Sequence, residues 1–592
     1  MIILGINAYH ADASACLVKD GVMVAAVEEE RFRRVKHWAG LPTVAVRACL
    51  NQAGIEISAV DHIAINRNPG ANLLKKALYA FSKRPGLTVL KDRLKNISKV
   101  HDIKNELETG LWFESGAIKA TVHNVEHHRA HLASSFLVSP FESAAVASVD
   151  GFGDFVSTMV GRGEGTRVEV LDRVTFPHSL GLFYLAMTQY LGFPGYGDEY
   201  KVMGLAAYGK PEYLDAMRRV VRLKDKGRFE LNLDYFLHHS EGVSMIWESG
   251  APVIGKVFSD ELVNLLGPPR GKDEAVTGRH ENLAASLQAM YEEAFFHILN
   301  DLYGRTNQKT LCLAGGCALN SVANGQISAR TSFERLYVPP AAGDAGGAIG
   351  AAYAVWHEEL GNPRSFVMDR ADWGPEFGEA ELREALGGRG EGEGVRGEEL
   401  KKQNCIVEEI EDEEKLCRRT AEEIAAGKVV GWFQGRMEWG ARALGNRSIV
   451  ADPRRPEMKD ILNARIKRRE PFRPFAPSIL EEKVGDYFEQ TGPSPFMTMT
   501  YRVKPDKRDV IPAPTHVDGT GRLQTVSREA QPLYWQLIKE FEGLTGVPVV
   551  LNTSFNENEP IVCIPAEALD CFLRTKMDVL VMGKWIVIRT EG

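Results

Sequence analysis

The sequence predicts an α/β protein of two modules, the first built from a duplicated unit. Two observations lead there. Residues 1–30 and 144–175 pass through the same order of strand, polar loop, strand, tight turn and strand. A Gly-, Glu- and Arg-rich stretch from 361 to 397 then separates this half from one of different pattern. With 592 residues the chain has room for roughly three or four compact units.

In the first copy the strands are expected at Ile2 to Asn7, Ala15 to Lys19 and Val22 to Val27, with Asp20-Gly21 as the turn. In the second they are expected at Ala144 to Val149, Val156 to Gly161 and Arg167 to Val174, with a loop from Asp150 to Asp154. Asp-Gly between β-branched runs is a hairpin signal. Two such copies are the expected opening of each half of an actin-like ATPase fold, a duplicated ribonuclease-H-like unit whose two loops hold nucleotide phosphates and a metal.

Composition narrows the class. Hydrophobic content of 44% with 25% charge is ordinary for a soluble globular protein. A net charge of -8 argues against coating nucleic acid. No apolar run reaches the length of a membrane span, and Met1-Ile-Ile-Leu-Gly-Ile reads as a first strand rather than a signal peptide. The eight cysteines include no CxxC pair, against a zinc ribbon or disulfide framework. A cytoplasmic protein is expected, with no nucleic-acid partner and no membrane insertion; a homodimer is compatible with its size.

The chemistry begins at Val125-Glu-His127-His-Arg-Ala-His131. Positions i and i+4 lie on one helix face, so His127 and His131 can grip one ion. Asp150, at the end of the apolar run from Ala144 to Val149, can add a carboxylate. Such a set suits Fe, Mn or Zn. A third loop follows the strand Leu311 to Ala314, where Gly315 and Gly316 allow close backbone approach before a helix expected to run to about Ile327. A fourth, Gly343-Asp344-Ala-Gly-Gly, places Asp344 at the mouth of a small-residue helix as a possible fourth ligand.

Beyond the linker a helix is expected over Glu413 to Ala426 and a strand over Val429 to Phe433. A cationic, Gly-punctuated stretch from Gln434 to Ile449 follows. Arg442, Arg447 and Arg522 sit among small and apolar residues, where a guanidinium fork needs an anion; phosphate fits best. Arg468 and Arg469 read as part of a solvated face. Val547 to Leu551 forms a strand that ends in Asn552-Thr553-Ser554.

These motifs carry a resemblance. His127-His-x-x-His131, Asp150-Gly151, Gly195-Tyr-Gly-Asp-Glu199-Tyr-Lys201, Gly315-Gly-Cys-Ala-Leu-Asn320 and Gly343-Asp344, with Glu28-Glu-Glu-Arg31 through Lys36-His37, resemble the carbamoyltransferase family over nearly the full length. That family includes the nodulation-factor and antibiotic O-carbamoyltransferases, tobramycin carbamoyltransferase among them. The resemblance implies a metal, iron in such enzymes, on His127, His131, Asp150 and Asp344. It places Glu199 and Lys201 against the nucleotide, and Gly315, Gly316 and Asn320 around adenine and ribose. His10 and Asp12 would border the phosphates, although Ala11 separates them where relatives can join them. His10, Asp12, Lys36 and His128 are the candidate catalytic groups, a histidine serving as base.

The resemblance makes residues 1–360 the actin-like domain, 361–397 the linker, and 398–592 a YrdC-like α/β domain that handles carbamoyl phosphate. There Arg442, Lys467 and Arg522 would clamp phosphate, with Arg447, Asn552 and Thr553 nearby. The segment from Leu73 to Gly110 exceeds a minimal member and is expected to be helical near the acceptor entrance. The implied activity is ATP-dependent transfer of a carbamoyl group, through a carbamoyl adenylate, to a hydroxyl of a small molecule or saccharide, with Mg accompanying ATP. The alternatives are a hydrogenase-maturation carbamoyltransferase, whose acylphosphatase domain and CxxC zinc motifs are not seen here, and a nucleotide-binding scaffold without chemistry.

Overall fold

A computed structural model describes residues 1–592 apart from 74, 77–101, 243, 244, 249, 388–399, 401, 591 and 592. The chain forms two compact units, Met1–Met368 and Asp369–Gly592.

The first unit contains two five-stranded sheets of one topology. In the first, β1 (Ile2–Asn7), β2 (Ser14–Lys19) and β3 (Val22–Glu28) form an antiparallel meander, and β4 (His62–Ile65) and β5 (Thr121–Asn124) add in parallel beside β1. In the second, β6 (Ser143–Gly153), β7 (Val156–Glu164) and β8 (Arg167–Thr175) repeat the meander, and Thr310–Ala314 and Arg335–Tyr337 add in parallel beside β6. The order 3-2-1-4-5 thus occurs twice with the same strand directions. This is the duplicated ribonuclease-H-like, actin-like architecture expected from the sequence.

Each central strand is sealed by helices whose small residues permit close approach. A Cβ at Gly5 of β1 would lie 2.2 Å from the carbonyl of Ala348 in the helix Gly347–Ala354. One at Gly350 would lie 1.8 Å from the carbonyl of Ala130 in the helix His127–Phe136. Glycine is required at both crossings.

Three expectations change. β6 runs past Val149 to Gly153, with irregular register between those residues; this bulge turns Asp150 out of the ladder. The helix expected after Gly316 is instead a 3₁₀ turn, Gly316–Leu319, and two short helices, Ser321–Asn324 and Ile327–Arg330. The Asn320 side chain restarts the chain by accepting the Ala323 N–H. The stretch 361–397 is not wholly a linker. Met368, Ala371 and Trp373 are buried, and the helix Glu379–Ala385 places Leu382 and Ala385 in the core of the second unit. Its apolar residues keep helical spacing inside a composition that reads as coil. Of the 73–110 segment, 74 and 77–101 lie outside the described residues, while Ile103 and Leu107 of the helix Ile103–Leu111 pack into the first sheet's core.

The second unit is built on an eight-stranded mixed sheet in the order Cys405–Glu409, Trp585–Arg589, Val579–Met582, Val430–Phe433, Arg447–Ala451, Val549–Ser554, Ala476–Leu480, Gln524–Val526. Alternate residues of one strand feed opposite cores. Trp432 packs under the helices Glu413–Ala425 and Pro532–Thr545, and Phe433 under the helix Pro565–Thr575. Among the described residues no helix is long and apolar enough to cross a membrane.

Candidate functional site

In the first unit His127, His131, Asp150 and Asp344 converge, with one ligand atom of each within 4.8 Å of all the others. The helix His127–Phe136 supplies the imidazoles, its first residues fixed by the Glu126 side chain, which accepts the Arg129 N–H, and by Asp154, which accepts the His127 N–H at 3.0 Å. The two Nε2 atoms are 3.0 Å apart, and His131 Nε2 lies 2.9 Å from Asp150 Oδ2 and 3.4 Å from Asp344 Oδ1. Those two carboxylate oxygens are buried and accept no hydrogen bond. Gly153 leaves room for the imidazole, since a Cβ there would sit 2.0 Å from the His127 ring.

This donor set fits a divalent first-row metal: two imidazole nitrogens and two unsatisfied carboxylate oxygens face one point. Without a cation, the carboxylates hold charge on the histidines. Burial pushes His131 down, but Asp150 and Asp344 overcome it and bring it up to about 9. Burial also opposes ionisation of Asp150, and the adjacent His127 and His131 imidazoles override it, leaving its carboxyl well below the usual range.

Around this centre the structure gathers some of the expected residues. His10 Nδ1 lies 2.5 Å from Asp344 Oδ2. A Cβ at Gly316 would be 2.8 Å from Asp150 Oδ1, and Gly315, in the left-handed region at φ 89°, crosses β6 where a Cβ would strike the Val149 carbonyl. Asp12, itself at φ 55°, accepts from His37 Nδ1 at 2.8 Å, and Glu30 accepts the His37 backbone N–H at 2.7 Å. Tyr196, half-buried, meets the His37 ring edge-on at 5.2 Å, and its phenol feels the charges of Asp344, Asp12, Asp150 and Glu199. Burial raises Glu199 to about 7.

Others are engaged elsewhere. His128 is fully buried, with Nδ1 on Ser148 Oγ at 2.9 Å and Nε2 on the Val156 carbonyl at 3.0 Å, which pins the helix to the sheet and removes it as a base. Asn320 pairs its amide with that of Gln288, at 3.0 and 3.1 Å, which orders the loop. Lys201 pairs with Asp198 at 2.8 Å. Lys36 is exposed and acts on Glu30 and His37 through its charge. Sequence reasoning gave no role to His37, Tyr196 or Asp154. His37 carries a signal, since it stands beside Lys36 at the end of the motif that begins at Glu28.

The second unit holds an arginine cluster. Burial, and then the charges of Arg442, Arg469 and Arg473, push the Arg522 guanidinium well below its usual range, and its buried Nε has no hydrogen-bond partner. Arg469, half-buried, also donates to Asn463 Oδ1 at 2.7 Å. Such a cluster suits an anion. Arg447 does not face it: fully buried, its guanidinium lies 3.6 Å from the Phe433 ring centroid and donates to the carbonyls of Gln434, Gly435 and Asn446. The Lys467 ammonium likewise donates to the Ser554 and Asn556 carbonyls and to Asn556 Oδ1. Asn552 donates to the Ala443 carbonyl, Ser478 Oγ and Gln524 Oε1, and Thr553 lies opposite Ile449 in the sheet.

A duplicated actin-like module carrying a His/Asp cluster is thus followed by an α/β unit carrying an arginine cluster. Residues 2–353 match the family model described as Carbamoyltransferase N-terminus, and residues 421–589 that described as Carbamoyltransferase C-terminus. The chain belongs to the carbamoyltransferase family and is an enzyme that transfers carbamoyl groups. It is 41% identical to an uncharacterised protein of Synechocystis, covering 99% of this chain and 97% of that one. It is 38% identical to the nodulation protein NolNO of Sinorhizobium fredii, covering 98% and 79%, and 42% identical to NolO of Bradyrhizobium diazoefficiens, covering 78% of each. Among solved structures, HypF of T. kodakarensis aligns with 60% of this chain and 47% of its own at a TM-score of 0.27 and 14% identity, a likeness too slight to argue from.

Proposed function

We propose that the protein is an ATP-dependent O-carbamoyltransferase that uses carbamoyl phosphate and a hydroxyl acceptor of small-molecule or saccharide type. The observation that carries this is the division of charge between the units: a cluster of carboxylates and imidazoles in one, and in the other the buried Arg522, whose Nε has no hydrogen-bond partner and whose guanidinium feels the charges of Arg442, Arg469 and Arg473. The second suits the dianionic phosphate of carbamoyl phosphate, held by Arg442, Arg469, Arg473 and Arg522. There water cleaves the mixed anhydride to phosphate and carbamate. In the first unit a carbamate oxygen attacks the ATP α-phosphorus, pyrophosphate leaves, and carbamoyl adenylate forms.

The acceptor hydroxyl oxygen then bonds to the carbamoyl carbon as AMP departs with the electron pair of the broken C–O bond. A divalent metal on His127, His131, Asp150 and Asp344, iron by family resemblance, would supply Lewis acidity toward the carbonyl oxygen. His10, held on Asp344, and His37, held on Asp12, are the histidines placed to hold or move a proton. Both cosubstrates belong to the cytoplasm, the compartment we assign. The test is ATP/pyrophosphate exchange. Exchange that requires carbamoyl phosphate supports the reading, and exchange indifferent to it, or none, refutes it.

A further inference from the structure

In the first unit Arg67 lies two residues past the end of β4, at the carboxyl edge of the sheet where β1 ends in Asn7 and β5 in Asn124. Its backbone is fastened on both sides to the frame of the His/Asp cluster. The Arg67 carbonyl accepts from Asn124 Nδ2 at 3.0 Å. The next N–H, that of Asn68, donates at 2.8 Å to Asp154 Oδ2, the oxygen that also takes the His127 N–H. The half-buried guanidinium donates from Nη1 to the Tyr9 carbonyl at 3.2 Å, one residue before His10, and His10 feels its charge. Among the described residues no carboxylate forms an ion pair with Arg67. The acid whose charge it feels is Asp154, whose Oδ2 already accepts two backbone N–H groups. A second guanidinium stands farther along the same loop. Arg173 Nη1 lies 3.4 Å from Asn72 Oδ1, and Asn72 Nδ2 donates to the Asp154 carbonyl at 2.9 Å. Arg173 is exposed and likewise has no ion pair among the described residues.

A guanidinium offers five N–H donors in a rigid fork that matches an oxyanion, and a half-buried one without a counter-ion retains most of that capacity. The reactants supply three oxyanion sources: nucleotide, carbamate and acceptor. Gly315 and Gly316, the glycines assigned to the nucleotide, reach the cluster from the second sheet, where Gly316 meets Asp150 Oδ1. Arg67 reaches it from the first sheet, beside His10, and opens the loop that leads into the 73–110 segment expected at the acceptor entrance. We propose that Arg67 selects an acidic acceptor, one that carries a carboxylate or phosphate oxyanion close to the hydroxyl that is carbamoylated, with Arg173 at the rim attracting such anions. The proposal rests on the O-carbamoyltransferase reading above and adds the chemical class of the acceptor. Arg67 binds the oxyanion as a fork and so fixes where the neighbouring hydroxyl oxygen lies. A neutral acceptor leaves the guanidinium unpaired and forfeits a charge-assisted contact.

The experiment supplies the full-length protein with ATP and carbamoyl phosphate and measures carbamoylated product by mass with three probes: D-glucose, D-glucuronate and D-glucose 6-phosphate. The probes share one hydroxylated ring and differ in the oxyanion. The wild type is expected to favour at least one of the acids over glucose by about 10- to 100-fold in kcat/KM. Which acid it favours identifies the oxyanion as carboxylate or phosphate. Arg67→Met is expected to lose that preference through a higher KM for the acid, and Arg67→Lys to recover part of it. Carbamoyl phosphate-dependent ATP/pyrophosphate exchange, in which no acceptor takes part, should persist in both variants, which a merely structural role or a nucleotide contact would not allow. Equal use of glucose and the acids by the wild type, or use of neither acid, overturns the proposal. So does an Arg67→Met protein that keeps the preference or loses exchange together with transfer. If the variants do not fold, the wild-type ratio decides alone. A wild type without exchange removes the underlying function, whereas exchange without a preference for acids removes the proposal only.

Discussion

At His131 two physical effects compete, and the stronger one defines the site. Burial disfavours an imidazolium, yet two carboxylates raise the group to about 9, a balance that a divalent cation would reverse by taking the ring nitrogen as a ligand. His131→Ala should therefore lower bound metal below one equivalent by elemental analysis and abolish transfer, while circular dichroism shows a folded chain. Retention of full metal content would rule out the ligand set. His37 offers a check by pH. Burial lowers it, but Asp12 and then Glu30 bring it up to about 9. Because its folded value lies above the ordinary one near 6.5, the Asp12–His37 pair contributes stability in full below that ordinary value. The contribution is lost as pH rises through about 9. In Asp12→Asn the histidine should titrate closer to its ordinary value by nuclear magnetic resonance, and the fall in thermal stability over this window should shrink. An unmoved titration would break the pairing.

At the scale of elements, the metal pocket depends on how closely two helices cross. Gly350 touches the carbonyl of Ala130, one residue before His131, so added bulk must push the histidine helix from its partner. Gly350→Ala should cost about 1–3 kcal/mol in denaturant unfolding. It should also weaken metal binding, although residue 350 touches no ligand group of the site. A variant of wild-type stability and metal content would show that the crossing tolerates separation. The bulge in β6 works in the same way, since a strand in regular register would return Asp150 to the ladder and break the convergence.

For the whole molecule the two units should fail separately. Arg522→Ala is expected to lose carbamoyl phosphate turnover and keep ATP binding by calorimetry, because the guanidinium cluster and the proposed nucleotide pocket belong to different units. Loss of ATP binding with phosphate release intact would reverse the assignment. Lys467→Ala should behave differently. Its ammonium satisfies buried acceptors of Ser554 and Asn556, so the main effect should be a lowered melting temperature. A variant that melts like the wild type and loses only phosphate affinity would restore Lys467 to the anion site.

Read alone, the sequence determined what local periodicity and fixed spacing can encode. The two meanders follow from alternating β-branched runs and tight turns, and the His127/His131 pair follows from helical geometry. Asp150 and Asp344 were legible because each ends an apolar strand or opens a small-residue helix. Only the tertiary structure decided which polar groups are already spent. His128 looks like His131 in sequence, but the fold points it at Ser148 and Val156. Nothing in the residues around Lys467 announces that its ammonium meets Ser554 and Asn556. Arg469 looks solvated until the chain returns it to Arg522, 53 positions later by the numbering of the two residues. Arg67 passes unremarked, because whether a guanidinium meets a counter-ion is a property of packing. The physical reason is common to these cases: residue type states what bonds a group can make, and partners distant in sequence decide which remain to be made.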